Sequence, residues 1–290
     1  MRFSTYDVLH RNEVSGALSG LTRVRQFQQD DCHIYLTEGQ IPDEVSRLTR
    51  FILDYYAIFG LTATLKFATR PEQRIGDDPM WDRAEGALQA ALEATGLAYE
   101  LKPGDGAFYG PKIDFDVADS IGRTWQLGTI QLDYAAPERF DLTYTGEDNT
   151  AHRPVVIHRA VNGSFERFIA ILIEHFAGAF PLWLAPEQVR VLPIAEGQEA
   201  VAAQVFRQLR DAGIRAHLGA GSQTLNYRIR EGEVQKVPYM AVVGQREAEA
   251  GTVAVRIRGA GNKQEIVPVA EFMARLTGEI ASRALTLGHS

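Results

Sequence analysis

Residues 10 to 36, HRNEVSGALSGLTRVRQFQQDDCHIYL, gather Arg11, Glu13, Arg23, Arg25, Gln29, Asp30, Asp31 and His33 into two short β-like runs joined by a Gly-rich loop. Charges in that number beside an apolar alternation are a costly way to build a core. A site for a phosphate and an amine accounts for them better. If Gln29 to Tyr35 is a strand, alternation puts Gln29, Asp31, His33 and Tyr35 on one face and Cys32, Ile34 and Leu36 on the other. An acid and an imidazole then project together, although a surface strand with incidental polar residues would read the same way. In KIDFDV, Lys112, Asp114 and Asp116 oppose Ile113, Phe115 and Val117. In TWQLGTIQLD, Gln126 is out of phase with Thr129 and Gln131, and a bulge at Gly128 would bring all three to one face. GSFERF sets Arg167 near the start of an apolar helix, where a guanidinium needs an anionic partner, either a phosphate or a nearby carboxylate. Arg11, Arg23, Lys112 and Arg167 together would suit a polyphosphate. Neither a G-x-x-x-x-G-K-[ST] loop nor a G-x-G-x-x-G turn after a strand is present, so the phosphates would be held by side chains on an antiparallel sheet.

The elements that must position these residues follow from periodicity. Alternation over residues 22 to 36 predicts strand, broken near Gln28. Residues 41 to 59 have helical spacing, with Val45, Leu48, Phe51, Ile52, Tyr55 and Tyr56 on one face and Pro42 and Asp43 at the start. Leu61 to Ala68 reads as a strand, and Asp78 to Thr95 as a second amphipathic helix closed by Gly96. Short strands are expected at Ala98 to Leu101, Lys112 to Val117, Arg123 to Asp133, Leu142 to Thr145 and Val155 to His158. Ser164 to Phe180 is expected to be a largely buried helix, and Pro181 and Pro186 punctuate a boundary. Beyond Pro186, strands at 188–194, 215–218, 239–243 and 252–257 alternate with helices at 197–212, 224–236 and 269–284. That pattern predicts a separate, mostly parallel α/β domain.

The bulk composition excludes several classes. With 290 residues and 45% hydrophobic content, one large or two ordinary globular domains are expected. A single cysteine excludes a disulfide framework and a Cys-rich zinc module, and fits a reducing, cytoplasmic setting. No apolar run reaches membrane-spanning length and the first residues have no apolar signal core. The net charge of −7 is uneven. Residues 186 to 290 carry 13 Lys and Arg against 11 Asp and Glu, whereas residues 1 to 185 carry 17 against 26. A mildly basic C-terminal part is compatible with nucleic acid, though a solvated surface would look the same.

Together these features resemble class II aminoacyl-tRNA synthetases, and within them the threonyl-tRNA synthetases. HRNE with SGALSGLTRVRQFQQDDCHIY resembles the second class-defining motif and GSFERF the third. TRPEQRIGDDPMWDRAE, GAFYGPKIDF, RTWQLGTIQLDY, GEDN, the His158-Arg159 pair, QKVPYMAVVG and VAVRIRG extend the match along essentially the whole chain. The resemblance implies an antiparallel class II catalytic core over residues 1–185, incomplete at its N-terminus, and an α/β anticodon-binding domain over 186–290. It implies ATP-dependent activation of threonine, with Mg2+, and transfer to tRNA(Thr). Arg11 would clamp the α-phosphate, and Arg23 and Arg167 the γ-phosphate from two sides. Gln126 and Thr129 would lie near the adenosine, and Lys112 and Gln29 where the bond forms. Asp31, Tyr109 and Gln131 would line the threonine pocket. His33 and His158 match two ligands of a zinc ion that holds the amino acid. Arg230, Arg246, Glu247 and Arg256 match anticodon-contacting positions.

The chain also departs from the pattern. The family's zinc cysteine lies upstream of the second motif, where this chain has no residues, and Cys32 faces away from His33. The first class motif, which builds the dimer interface, and the N-terminal editing domains are likewise absent. Ser19 and Leu127 stand where His and Cys are usual, and Ser222 and Thr224 where Asn and Lys are. Two functions are therefore expected to compete. One is an enzyme that depends on a homodimer or on a separately supplied N-terminal half, with activity impaired in this chain alone. The other is a non-catalytic module that binds ATP, tRNA or both.

Overall fold

The computed structural model describes residues 1–219 and 221–288. Its chain contacts divide into two units, Met1–His175 and Phe176–Ser290.

The first unit is built on a seven-stranded sheet. In chain order its elements are β1 (Arg2–His10), β2 (Gln26–Leu36), α1 (Ile41–Ala57), β3 (Ala63–Ala68), α2 (Asp78–Glu93), β4 (Tyr99–Lys102), β5 (Lys112–Ala118), β6 (Thr124–Asp133), α3 (Ala135–Arg139), β7 (Tyr144–Thr145), β8 (Ala151–His152), β9 (Val155–Ala160) and α4 (Phe165–His175). The sheet order is β1-β2-β9-β6-β5-β3-β4, with β7 and β8 forming a separate hairpin. Every pairing in the large sheet is antiparallel except β3 with β4.

α1 covers the middle of this sheet. Ile41, Val45, Leu48, Ile52 and Tyr56 form its buried stripe, at the spacing expected of a helix packed on one side. Phe51, expected on that stripe, instead lies on the outer side, 46% exposed, with the Arg159 guanidinium 5.9 Å from its ring centre. The Tyr56 hydroxyl donates to the Val161 carbonyl at 2.6 Å. A β-carbon on Gly128 would sit 2.7 Å from that hydroxyl and 3.2 Å from Ile52, so only glycine lets α1 approach β6 this closely. Side-chain alternation then turns Leu127, Ile130 and Leu132 into the core beneath α1 and leaves the other face of the sheet for polar groups. The expected bulge is present: Phe115 pairs with Gly128 but Asp116 pairs with Gln126, leaving Leu127 as the extra residue.

One expectation for this unit is corrected, and one element was not anticipated. β1, a nine-residue edge strand exposed along nearly its whole length, had no alternating burial pattern to announce it. α4 stops at His175 and is only partly buried: Phe168, Ile171 and Leu172 pack inward while Ile169 and Ile173 are exposed. Its apolar residues occupy more of its circumference than the core covers.

The second unit contains β10 (Val189–Pro193), α5 (Glu199–Asp211), β11 (Ala216–Leu218), α6 (Leu225–Val234), β12 (Tyr239–Val243), α7 (Gln245–Ala250), β13 (Thr252–Ile257), β14 (Glu265–Pro268) and α8 (Val269–Ser282). Its sheet order is β11-β10-β12-β13-β14. β11, β10 and β12 run parallel, whereas β12 with β13 and β13 with β14 are antiparallel, so the sheet is mixed rather than mostly parallel. The cause is connection length. Residues 244–251 are too few for the parallel crossover of a dozen or more residues, and the short α7 only turns the chain round. Among the described residues, no helix is long and apolar enough to cross a membrane.

Candidate active site

The polar face of the large sheet carries a cleft whose walls come from distant stretches of sequence. The loop between β1 and β2 supplies Arg11, Glu13, Thr22 and Arg23, β2 supplies Phe27 and Gln29, and β6 supplies Gln126, Thr129 and Gln131. Gly163, Ser164 and Arg167 complete it from the start of α4. Five residues expected at a nucleotide (Arg11, Arg23, Gln126, Thr129 and Arg167) thus line one cavity, together with Gln29 and Gln131. Gln29 is fixed by its side-chain amide, which donates to the Gly163 carbonyl at 2.8 Å.

The electrostatics of the arginines decide what this cavity can hold. Arg23 pairs with Glu13 at 3.0 Å. The Arg11 guanidinium lies 5.0 Å from the Phe27 ring centre. Arg167 donates from Nε to the Thr22 carbonyl at 2.8 Å and from a terminal nitrogen to the Gln126 carbonyl at 3.0 Å, and its backbone N–H is capped by the Ser164 hydroxyl at 3.1 Å. Burial, followed by the charges of Arg23 and Arg11, pushes the Arg167 guanidinium below its ordinary pKa. Three guanidinium groups around one cleft, with Glu13 as the lining carboxylate, form a preorganised anion site. An anion with several negative oxygens relieves the repulsion among them.

Beside this cleft lies a second polar group. The rings of His33 and His158 meet edge to face with centres 4.6 Å apart, and the Tyr109 ring lies tilted against His158 with centres 5.1 Å apart. Asp31 lies 3.8 Å from His33, and Asp133, nearly fully buried, accepts or shares the His158 Nε2 proton at 2.8 Å. The Tyr109 hydroxyl donates to the Gln131 side-chain oxygen. Burial, reinforced by Asp133 and Asp31, raises the Tyr109 pKa, so the hydroxyl stays protonated and donating. The arrangement presents Asp31 to a positive group and a phenol–amide pair to a polar one. Gln131 belongs to both regions.

Lys112 stands apart from the cleft lining. It is buried in β5 and pairs with Asp114 at 2.6 Å.

For a metal, the two imidazoles fit but do not complete a set. Among the described residues no group of three His, Cys, Asp or Glu side chains is gathered to hold an ion. Cys32 is buried on the opposite face of β2. A structural zinc site needs four donors and a catalytic one three. Addition of a chelator is therefore expected to leave the melting temperature of the chain unchanged, and elemental analysis to find well below one zinc per chain in wild type and His33→Ala alike. One zinc per chain in wild type, lost in the variant, would show that a third donor completes the site.

In the second unit, Arg230 and Arg246 are exposed, as a contact to a large ligand requires. Glu247 accepts the Gly244 N–H at 3.1 Å and so caps α7. Arg256 is buried and bonded to Glu233 and Asn262, both at 3.2 Å.

Sequence reasoning left out Phe27 and Asp133 as site residues. Phe27 and Asp133 share strand phase with Gln29 and Gln131, a signal that was available.

The chain matches two family models in tandem: "tRNA synthetase class II core domain (G, H, P, S and T)" over residues 1–176 and "Anticodon binding domain" over residues 188–279. Fold and cleft thus define a class II aminoacyl-tRNA synthetase core followed by an anticodon-binding domain. The threonine–tRNA ligase of Myxococcus xanthus is 59% identical over 97% of this chain, and that of Carboxydothermus hydrogenoformans 50% over 98%. The RNA binding domain of threonyl-tRNA synthetase from Cryptosporidium parvum superposes with a TM-score of 0.92 at 41% identity, covering all of this chain and 72% of that one. The chain belongs to the threonyl-tRNA synthetase family. It spans 44% of the length of each of the two bacterial relatives.

Proposed function

We propose that the chain carries the ATP site and the anticodon-binding domain of a threonine–tRNA ligase. The observation that supports this is the convergence of Arg11, Arg23 and Arg167 on one cleft. In this reading Arg11 meets the α-phosphate, while Arg23 and Arg167 hold the γ-phosphate of ATP with its Mg2+. Gln126 and Thr129 face the adenosine. Gln29 and Lys112 act where threonine's carboxylate attacks, stabilising charge that develops on the transferring group and orienting the reactants. Asp31 receives the amino group, with Tyr109 and Gln131 around the side chain. His33 and His158 are two of the donors for a zinc ion, which when bound would hold the amino group and hydroxyl of threonine. Arg230, Arg246, Glu247 and Arg256 serve tRNA(Thr), Glu247 and Arg256 by shaping the surface that Arg230 and Arg246 present. The setting is cytoplasmic, and the assembly is a homodimer or a complex with the family's N-terminal half.

A second reading, a module that binds ATP and tRNA without activating threonine, is favoured for the isolated chain by the two-imidazole metal set. Equilibrium dialysis with MgATP and threonine-dependent pyrophosphate exchange on the same preparation separate the two. Saturable ATP binding is expected, with exchange about 10- to 100-fold or more below that of a full-length threonine–tRNA ligase, the scale of loss for a disturbed metal site. Robust exchange would discard the module reading. No saturable ATP binding would overturn the proposal as a whole.

A further inference from the structure

We propose that Asp114 is the positioning residue of the nucleotide site, one buried carboxylate that fixes Lys112, Gln126 and Thr129 as a unit; this deepens, and rests on, the reading of the cleft as an ATP site. Asp114 is 3% exposed, at the centre of β5. Its Oδ2 accepts from Lys112 Nζ at 2.6 Å. Its Oδ1 accepts from Gln126 Nε2 at 2.7 Å and from the Thr129 hydroxyl at 3.0 Å. The bulge at Leu127 makes this convergence possible, because without it Gln126 and Thr129 would point to opposite faces of β6.

The bonds also fix direction. Thr129 spends its only proton on Asp114, so its oxygen can only accept elsewhere, and it does so from Gln131 Nε2 at 3.3 Å. Gln131 in turn accepts from Tyr109. Tyr109, Gln131, Thr129 and Asp114 therefore form a one-way relay of donors from the proposed threonine pocket to the carboxylate. Gln126, with one amide N–H on Asp114, keeps its side-chain oxygen as an acceptor for a donor on adenosine. Burial raises the Asp114 pKa, and the charge and hydrogen bond of Lys112, with the Thr129 hydroxyl, oppose that rise. A purely structural ion pair would need Lys112 alone. The two bonds to residues that line the cleft are what a positioning role requires.

The test is calorimetric titration of the full chain with ATP, AMP and inorganic tripolyphosphate, well below the melting temperature. In Asp114→Asn, which keeps the shape and removes the charge, affinity for ATP and AMP is expected to fall about tenfold or more, while tripolyphosphate, held by the arginines, changes less than about twofold. A merely structural role would not separate the ligands in this way. Asp114→Glu keeps the Lys112 pair and hence the fold, but displaces the carboxylate by one methylene. It is expected to weaken AMP by about threefold or more with tripolyphosphate unchanged, and it carries the test if the asparagine variant does not fold. Equal nucleotide affinity in wild type and both variants would overturn the positioning role while leaving the ATP reading intact. A wild-type chain that binds tripolyphosphate but no adenine nucleotide would overturn both.

Discussion

Replacing Arg167 by alanine is expected to weaken MgATP binding by about two orders of magnitude while costing the fold little. A charge-assisted bond to a phosphate contributes roughly 2–3 kcal/mol, or about 30- to 150-fold in affinity. In the unliganded cleft the same guanidinium is poorly compensated. Its hydrogen-bond partners are the carbonyls of Thr22 and Gln126, the Trp125 ring centre lies 5.9 Å away, and burial and the neighbouring arginines both disfavour its charge. Alanine loses two hydrogen bonds but relieves that burden, so the melting temperature should move by no more than a few degrees. Arg167→Lys keeps the charge without the planar fork and should fall between wild type and alanine. Calorimetry with MgATP and a melting curve without it provide the two readings. Unchanged nucleotide affinity, or a large loss of stability, would mean that Arg167 is structural.

The second large effect is on stability. Asp30 is 5% exposed and lies on the core side of β2. Its carboxylate accepts from the backbone N–H of Val161 and Asn162, each at 2.9 Å, and from Arg159 at 3.0 Å. Alanine there would leave two backbone donors and a half-buried guanidinium without their anion. Removing one partner of such a buried set costs about 3–5 kcal/mol. For a unit of this size that is about 6–20 °C in melting temperature. The clamp also holds residues 161–163, whose Gly163 carbonyl orients Gln29. Loss of stability should therefore come with weaker nucleotide binding. A shift of less than about 2 °C by scanning calorimetry would show that the segment is held by other contacts.

Asp30 also shows where sequence reading reached its limit. Alternation along β2 correctly separated Gln29, Asp31 and His33 from Cys32, Ile34 and Leu36, because a strand with one buried face is read directly from a period of two. The same rule places Asp30 on the buried face, but nothing local announces that its partners are backbone groups 131 and 132 residues away. The bulge at Leu127 was legible because Gln126 broke phase beside a glycine. α1 and α2 were legible from their apolar spacing and their terminal residues. β1 was not, since an exposed edge strand has no periodic burial to betray it, and neither was the turn of direction at α7, which is set by how few residues separate β12 from β13. The arginines of the cleft could be named from their residue types. That they share one cavity, and that Lys112 is bound to Asp114 rather than lining it, depends on tertiary packing.

The central claim is that Arg11, Arg23 and Arg167 together receive a nucleoside triphosphate. A crystal structure of the chain with a non-hydrolysable ATP analogue and Mg2+ tests it most directly. The γ-phosphate is expected between Arg23 and Arg167, the α-phosphate against Arg11, and the adenosine beside Gln126 and Thr129. A nucleotide bound with its phosphates away from these arginines, or bound only in the second unit, would contradict it.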